Sequence, residues 1–106
     1  MAKYMIEASY TSEGAKGLLK DGGTKRRQAA DAAIKSAGGR MEAFYYAFGD
    51  SDAILIVDAP DHATIAAASV AINASGAVVA KTRVLMTPEE IDQAVKKTVA
   101  YTPPGR

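Results

Sequence analysis

A run of cations directly follows two glycines in the first third of the chain, at Asp21-Gly22-Gly23-Thr24-Lys25-Arg26-Arg27. Three consecutive cations in the first turn of a helix oppose the helix dipole, because this turn normally carries acidic residues. Backbone amides left free after a Gly-Gly turn, with Lys and Arg nearby, provide the donors that bind an anion. The segment therefore predicts that Gly23, Thr24 and Arg27 bind a carboxylate or a phosphate.

Charge is distributed unevenly around this segment. Residues 12–40 carry seven basic and three acidic side chains, a net charge of +4, and the remainder carries six basic and nine acidic ones, a net charge of −3. Lys16 precedes Lys20 by four residues, so both can point toward the same place on a helix. The alternative interpretation is a solvated basic face with flexible glycines. The spacing of a nucleotide-binding phosphate loop is absent.

Four aromatic rings lie close together in the middle of the chain. In a strand, alternation places Phe44, Tyr46 and Phe48 on one face and Tyr45 on the other. One interpretation is that these rings pack the sheet and an interface, with their hydroxyls bonded at the rim. The other is that Tyr10 or Tyr45 reaches a pocket lined by small alanines between sheet and helices, with room for an apolar or aromatic ligand.

Residues that commonly carry catalysis are scarce. The chain has no Cys and one His, which excludes thiolate nucleophiles and Cys-based zinc sites and leaves no nucleophile triad at a recognisable spacing. The acidic residues near the single His are expected at turns and at a helix start, where Asp bonds to the backbone. They are Asp50, Asp52, Asp58 and Asp61, beside His62. We therefore expect no metal, no cofactor and no catalytic residue, which favours a non-catalytic protein without excluding an enzyme.

The composition indicates one soluble globular domain. The chain has 106 residues, of which 48% are hydrophobic and 24% charged, typical of a single folded unit. Its formal net charge of +1 favours neither a nucleic-acid nor a membrane-surface partner. No apolar run approaches the roughly 20 residues of a membrane span. The first residues lack the apolar centre and cleavage site of a signal peptide, so we expect a cytoplasmic protein.

Periodicity and turn residues predict the order of the elements. Strands are predicted over 3–10, 40–48, 53–58 and 77–86, and helices over 11–20, 24–37 and 60–73. Thr24 is predicted to cap the second helix, and Gly38 to end it. A last helix begins at Thr87-Pro88-Glu89-Glu90, with Thr87 as its cap, Pro88 in the first position and Glu90 completing a capping box.

Three further patterns place these elements relative to one another. Residues 53–57 are all apolar, which is typical of a strand in the middle of a sheet with both faces covered. Lys81 and Arg83 share one side of the last strand and indicate a sheet edge. Gly49 to Asp52 predicts a hairpin turn. Residues 101–106 contain two prolines and predict an extended tail after a domain formed by residues 1–100.

The order strand, helix, strand, strand, helix, strand predicts an α+β, ferredoxin-like βαββαβ fold, with an antiparallel sheet and helices on one face. One layer of helices leaves the other sheet face bare. Bulky apolar residues on a bare face of this size usually mark an interface. We therefore expect a homodimer whose two sheets pack face to face, or a higher homo-oligomer.

From Tyr4 to Pro104 the sequence resembles the GYD family, small bacterial proteins with no established activity. The matching segments are residues 8–11 (ASYT), 14–23 (GAKGLLKDGG), the 43–57 hairpin, 73–77 (NASGA), 87–90 (TPEE) and the YTPPG tail. The family's naming motif falls at Gly49-Asp50-Ser51-Asp52. Gly49 and Asp52 match this motif, and Ser51 stands where the family usually has Tyr.

The resemblance also implies a function class. The family is similar to the dimeric α/β barrel group, which includes cofactor-free monooxygenases, haem-degrading enzymes and ligand-sensing modules. We interpret the chain as a binding or accessory protein for a small anionic or aromatic ligand. The candidate binding residues are Tyr10, Lys16, Gly23, Thr24, Arg27, Tyr45 and Asp52. Lys16 and Arg27 would hold the anion, the tyrosines would contact an apolar body, and Asp52 would order the hairpin. The alternatives are a cofactor-free monooxygenase or isomerase, and a purely structural assembly module.

Overall fold

A computed structural model describes residues 1–106, which form four strands and four helices. The strands are β1 (Ala2–Tyr10), β2 (Arg40–Tyr46), β3 (Ala53–Ala59) and β4 (Val78–Leu85). The helices are α1 (Ser12–Asp21), α2 (Gly23–Ala37), α3 (His62–Ala74) and α4 (Pro88–Val95). This succession of elements is the one that the sequence predicts.

The four strands form one antiparallel sheet in the order β2-β3-β1-β4. The connection from β1 to β2 and the connection from β3 to β4 each pass over one intervening strand, and both carry helices. This arrangement is the predicted α+β, ferredoxin-like fold. As predicted, β3 lies inside the sheet and β4 at its edge.

Alternate residues of the two central strands build the core against the helices. The buried residues of the sheet are Tyr4, Ile6, Ala8, Ala53, Leu55, Val57 and Ala59. Ile34 of α2 and Ile65 and Ala68 of α3 are buried in the same cluster. Because side chains alternate across a strand, the residues between these positions point to the opposite face of the sheet.

No element of the chain covers that opposite face, which we call the open face. Met5 of β1 and Ile54 and Ile56 of β3 lie on it half-buried. Tyr45 of β2, the register partner of Ile54, is 70% exposed. Within one chain, therefore, β3 is covered on one face only, and the expectation that both its faces are covered is not met by the chain's own elements.

One row of residues crosses all four strands on the open face. Arg40 of β2 pairs with Asp58 of β3, Asp58 with Lys3 of β1, and Lys3 with Leu85 of β4. Asp58 accepts hydrogen bonds from Lys3 Nζ over 2.8 Å and from Arg40 Nη2 over 2.6 Å. The pKa of Asp58 is held below its ordinary value, first because Lys3 donates a hydrogen bond to it, and then because of the charge of Lys3 and the hydrogen bond from Arg40. This buried carboxylate is therefore charged and paired.

Two local features differ from the sequence-based expectations. Thr24 does not cap α2, because the helix begins one residue earlier, at Gly23. Gly22 occupies the cap position with φ of 81° and no side-chain hydrogen bond, so a single left-handed glycine turns the chain from α1 into α2. Strand β2 ends before Phe48, because the amide of Ala47 turns into the hairpin and donates to the carbonyl of Asp52 over 2.9 Å.

The last helix has the predicted capping box. The Thr87 hydroxyl accepts a hydrogen bond from the Glu90 amide, and the Glu90 carboxylate accepts one from the Thr87 amide, each over 3.1 Å. Residues 86–106 extend away from the sheet, and the chain measures 56 × 33 × 22 Å with a radius of gyration of 16.9 Å. A compact domain of this length has a radius of about 13 Å. Among the four helices, none combines the length and the apolar character that crossing a bilayer requires.

Candidate functional site

A tyrosine of the sheet fixes the point at which α2 begins. Tyr46 Oη donates a hydrogen bond to the Gly23 carbonyl over 2.9 Å, and its ring packs edge-on against Phe44 with the centroids 5.0 Å apart. A β-carbon on Gly23 would lie 3.1 Å from Tyr46 Cε2, so the absence of a side chain lets the ring approach. This contact determines which residues of α2 face the sheet.

A cavity of about 260 Å³ lies between the sheet and helices α2 and α3. Fifteen residues line it, and 13 of them are hydrophobic. The sheet contributes Ile6, Ala8, Tyr10, Phe44, Ala53, Leu55, Val78 and Ala80, and Ala77 precedes β4. The remaining residues, from the helices and their ends, are Arg26, Ala29, Ala30, Ala33, Ile72 and Ser75.

Small side chains on α2 leave this space open. Ala29, Ala30 and Ala33 lie on the face of the helix that is turned toward the cavity, since residues three and four apart share a face. Alanine fills little volume, and protein interiors are otherwise packed to the density of organic crystals. The sequence-based interpretation of alanines lining a pocket between sheet and helices thus has a structural counterpart in this cavity.

The lining of the cavity has few polar groups, and two of them, Arg26 and Tyr10, lie near each other. Arg26 is the one charged residue of the lining, and its side chain is 34% exposed. Arg26 Nη1 lies 3.8 Å from Asp21 Oδ2, which is too long for a hydrogen bond. The guanidinium therefore retains donors that can bind a carboxylate or phosphate in a forked geometry.

Tyr10 is a second polar group of the lining. Burial raises its pKa to about 12, and the neighbouring Tyr46 phenol adds to the shift. Arg26 acts in the opposite direction and lowers the pKa of Tyr10. At neutral pH the phenol is protonated, so it can donate a hydrogen bond to an anion held by Arg26.

The hairpin between β2 and β3 is tied to the end of β1 behind this tyrosine. The Tyr10 amide donates to Asp52 Oδ2 over 2.8 Å, and the Asp52 amide donates to the Ala8 carbonyl over 2.9 Å. Tyr10 and Asp52 also line a second depression together with Tyr46, Phe48 and Leu18. Asp52 thus has the hairpin-ordering contacts expected of it.

The other candidate residues lie apart from the cavity. Lys16 is exposed on α1 and lines none of the depressions described here. Thr24 and Arg27 line a separate polar groove between α2 and the start of β2. Tyr45 is on the open face, on the other side of the sheet. The structure therefore brings Tyr10 and Asp52 together, with Gly23 close by through Tyr46, and leaves the others elsewhere.

Arg26 is a functional candidate that the sequence reasoning passed over in favour of its neighbour Arg27. The signal was present, because Arg26 precedes Ala30 by four residues and Ala30 precedes Ile34 by four, which is the spacing of an apolar helix face. Residues at this spacing lie on the same helix face.

The acidic residues and the histidine have local partners. Asp61 caps α3 by accepting from the Thr64 amide over 2.8 Å, as the sequence predicts for a helix start. These bonds from the Thr64 amide and hydroxyl lower the pKa of Asp61. His62 Nδ1 lies 2.6 Å from the phenol oxygen of buried Tyr4. Each of these contacts is structural, because it joins α3 to its own cap or to the core.

Three comparisons relate the chain to known proteins. The family model described as GYD domain matches residues 4–95. No curated protein matches the chain. A crystal structure of MtbAldR is similar to it, with a TM-score of 0.57 and 19% sequence identity over 97% of this chain and 58% of that one. The chain thus spans less than two thirds of the length of that solved protein, and at this identity the likeness shows the fold alone.

Proposed function

The chain belongs to the GYD domain family, and we propose that this member binds a small apolar or aromatic ligand carrying one anionic group, as a homo-oligomer. The cavity between the sheet and helices α2 and α3 is the proposed binding site. Arg26 and Tyr10 are the proposed polar contacts. Asp52 positions Tyr10 through its amide and does not itself touch the ligand.

The observation that carries this proposal is the composition of the cavity lining. Thirteen of the 15 lining residues are hydrophobic, and the volume is about 260 Å³. An apolar cavity of about 150 Å³ accommodates benzene, so the space suits one ring or a short branched chain with a small polar group. Ligand sites are typically apolar clefts with a few polar groups that fix orientation.

The anionic group of the ligand follows from the position of Arg26. A cation beside an apolar cavity is costly to desolvate unless it is paired. Its carboxylate neighbour Asp21 lies 3.8 Å away, whereas an Arg–carboxylate pair in direct contact is about 2.7–2.9 Å. A ligand carboxylate can make that shorter contact and accept from the Tyr10 phenol as well.

The proposed homo-oligomer rests on the open face. Met5, Ile54 and Ile56 lie there without cover from their own chain, and a homodimer interface is isologous, with the same surface on both copies. Two open faces in contact would bury these residues. We further place the protein in the cytoplasm, since a chain without Cys is suited to a compartment without disulfides. The proposal includes no nucleic acid and no membrane as partners.

The properties of the cavity distinguish the proposed function from the two alternatives. A cofactor-free oxygenase or isomerase needs an acid or base tuned toward neutral pH, whereas the pKa of Tyr10 is raised to about 12. A purely structural assembly module has no use for a cavity, and filling it would stabilise the fold. Both observations support a binding role.

The test is calorimetric binding and thermal shift with benzoate and phenylacetate, compared with neutral benzyl alcohol. We expect both acids to bind more tightly than the alcohol. Arg26→Gln should weaken acid binding by at least about tenfold, which is about 1.4 kcal/mol, and should leave binding of the alcohol unchanged. Ala33→Leu should weaken binding of all three, because leucine is a good helix former that fills the cavity.

Lys25→Gln is the matched control. Lys25 adjoins Arg26 and also faces Asp21, with Nζ 3.7 Å from Oδ1, yet it does not line the cavity. We expect this variant to bind the acids as the wild type does. If no acid binds, or if Arg26→Gln and Ala33→Leu bind as tightly as the wild type, the proposal is wrong.

A further inference from the structure

The last 21 residues make no polar contact with the rest of the chain. We call Met86–Arg106 the C-terminal arm. Its hydrogen bonds join residues within the arm, from the capping box of α4 to the turn at Pro103 and Arg106, and none of the chain's ion pairs includes one of its residues. Apart from Pro103, which is partly buried, every arm residue is exposed. The arm therefore packs little against its own chain.

The sequence of the arm nevertheless favours an ordered helix that packs against another surface. Helix α4 has a capping box and a proline in its first turn, but isolated helices shorter than about 12–15 residues are marginal in water and depend on tertiary packing. Ile91 and Val95 lie four residues apart on one face of α4 and are 46% and 75% exposed, and Val99, beyond the helix, is 78% exposed. This apolar stripe requires a surface that a single chain does not provide.

The total surface of the chain indicates how large the missing contact is. The accessible area is 7347 Å², whereas a compact monomer of 11.1 kDa exposes about 5,700 Å². The excess is roughly 1,700 Å². A stable protein interface buries about 800 Å² on each partner, and obligate homodimers bury more. The excess is thus large enough for an interface that includes both the open face and the arm.

The register of the sheet places the root of the arm level with a cationic groove at the opposite edge. Leu85, the last residue before the arm, and Arg40, at the start of β2, are the two ends of one cross-strand row. Arg40 also lines the polar groove between α2 and β2, together with Arg27 and Lys35. The arm thus leaves the sheet at the end where Lys35 and Arg40 line this groove, on the opposite edge, and Arg27 lies farther along the groove, one turn from the start of α2.

We propose that the C-terminal arm of one copy docks on the α2–β2 groove of a second copy of this chain. This inference rests on the homo-oligomer of the proposed function and adds to it the site that the arm occupies. A twofold axis parallel to the strands brings the β4 edge of one open face beside the β2 edge of the other. The arm of each copy then leaves its sheet next to the partner's groove.

Charge complementarity supports this placement. The start of α4 carries Glu89, Glu90 and Asp92, and neither Glu89 nor Asp92 makes an ion pair. Among the groove cations, Lys35 pairs with Asp31 over 3.0 Å and Arg40 with Asp58 over 2.6 Å. Arg27 makes no ion pair within its own chain and remains available to the acids of a partner's arm. Opposite charges of this kind set orientation and association rate more than affinity.

The position of this groove in the fold also distinguishes it from the other cations of residues 12–40. Lys25 and Arg26 both face Asp21, and Lys16 and Lys20 lie on α1 at the other end of the sheet, since α1 follows the end of β1 at Tyr10. The arm leaves from the end of the sheet that holds Lys3. The groove along α2, lined from Arg27 to Arg40, is therefore the cationic surface that extends to the end of the sheet from which a partner's arm leaves.

Cysteine cross-linking tests the contact directly, because the chain contains no Cys. A chain with Glu89→Cys is co-expressed with a chain carrying Gln28→Cys, a groove residue, and oxidised at high dilution. We expect a disulfide-linked heterodimer. A matched pair that combines Glu89→Cys with Lys20→Cys, on exposed α1, should not cross-link. Equal cross-linking of both pairs, or none of either, would overturn the arm placement.

Association constants separate the failure of this inference from the failure of the oligomer. By sedimentation, we expect truncation after Met86 and the double variant Ile91→Ser, Val95→Ser each to weaken self-association at least about tenfold, since buried apolar anchors dominate interfaces. Both changes affect exposed residues, and circular dichroism will show that the sheet is retained. If the full chain associates and these variants associate equally well, the arm inference is wrong and the oligomer stands. If the full chain is a monomer at all concentrations, the oligomer itself is wrong.

Reversal of charge provides a second readout. Arg27→Glu should slow association of the full chain, and Glu89→Arg should do the same, whereas the chain with both changes should recover the wild-type rate because the pair is restored across the interface. Asp50→Arg, on the hairpin and outside the arm, is the control that should not rescue Arg27→Glu. Absence of rescue by Glu89→Arg would contradict the proposed pairing.

Discussion

The backbone amide of Tyr10 and the carboxylate of Asp52 are joined by a hydrogen bond of 2.8 Å. This bond links the end of β1 to the hairpin between β2 and β3, which are 42 residues apart in the chain. Tyr10 in turn lines the proposed binding cavity. Asp52 is one of the two residues of the naming motif that this chain retains, and in this fold its carboxylate binds the backbone amide of the tyrosine that lines the cavity.

Loss of this bond should destabilise the protein. Asp52→Ala leaves the partly buried Tyr10 amide without an acceptor, and an unsatisfied donor of this kind costs about 1–3 kcal/mol. We expect the free energy of unfolding in urea to fall by this amount. Asp50→Ala is the control, because the Asp50 side chain is exposed and makes no hydrogen bond of its own, and its effect should stay within about 0.5 kcal/mol. Equal effects of the two changes would show that the hydrogen bond between the Tyr10 amide and Asp52 does not stabilise the fold.

Two glycines of α1 should respond to alanine in opposite directions. A β-carbon on Gly14 would overlap the carbonyl oxygen of Ala77, which already accepts a hydrogen bond from the Thr11 amide over 3.0 Å. Gly14→Ala should therefore destabilise by about 2 kcal/mol or more through overpacking. Gly17 has open space at the same position, so Gly17→Ala should stabilise by about 0.5–1 kcal/mol. Thermal unfolding of both variants measures the difference.

Tyr10 should ionise well above the ordinary pKa of a tyrosine. Its pKa is raised to about 12 by burial and by Tyr46, so the folded state retains the phenol proton more strongly than the unfolded state. The contribution to stability is complete below the ordinary value of 10 and is lost as pH rises from 10 toward 12. Ultraviolet titration of tyrosinate should lose its step near pH 12 in Tyr10→Phe. The same step should persist in Tyr101→Phe, and a wild-type curve without it would contradict the prediction.

Asp58 should make the protein sensitive to acid. Its pKa is lowered by the hydrogen bond from Lys3 and then by the charge of Lys3 and the bond from Arg40, so the folded state binds its proton less strongly than the unfolded state. The stabilisation is present above the ordinary carboxyl value and is lost as pH falls below it. Asp58→Asn should lower the urea midpoint at pH 7 and flatten its dependence on pH in the acid range. Asp50→Asn, on the exposed hairpin, should leave the curve unchanged.

Much of the fold was accessible from local patterns. The capping box at Thr87 and Glu90 depends on residues three apart, and the structure has it. The apolar run from Ala53 to Val57 correctly predicted an interior strand, although within one chain only one face of that strand is covered. Thr24 was assigned the wrong role because Thr is a good helix cap in general, whereas the start of α2 depends on Tyr46, which packs against Gly23 from a strand 23 residues away.

The binding site shows the same division. Sequence alone determined that the chain has one histidine, no cysteine, a basic segment after two glycines and alanine-rich helices, and these properties limit the chemistry and indicate slim helices beside a sheet. Tertiary structure decided that Arg26 rather than Arg27 borders the apolar cavity, that Tyr45 lies on the other side of the sheet, and that Arg27 belongs to a separate groove. The physical reason is that the start of α2 and the face that it turns to the sheet depend on contacts between distant segments, such as that of Tyr46 with Gly23, which local spacing does not contain.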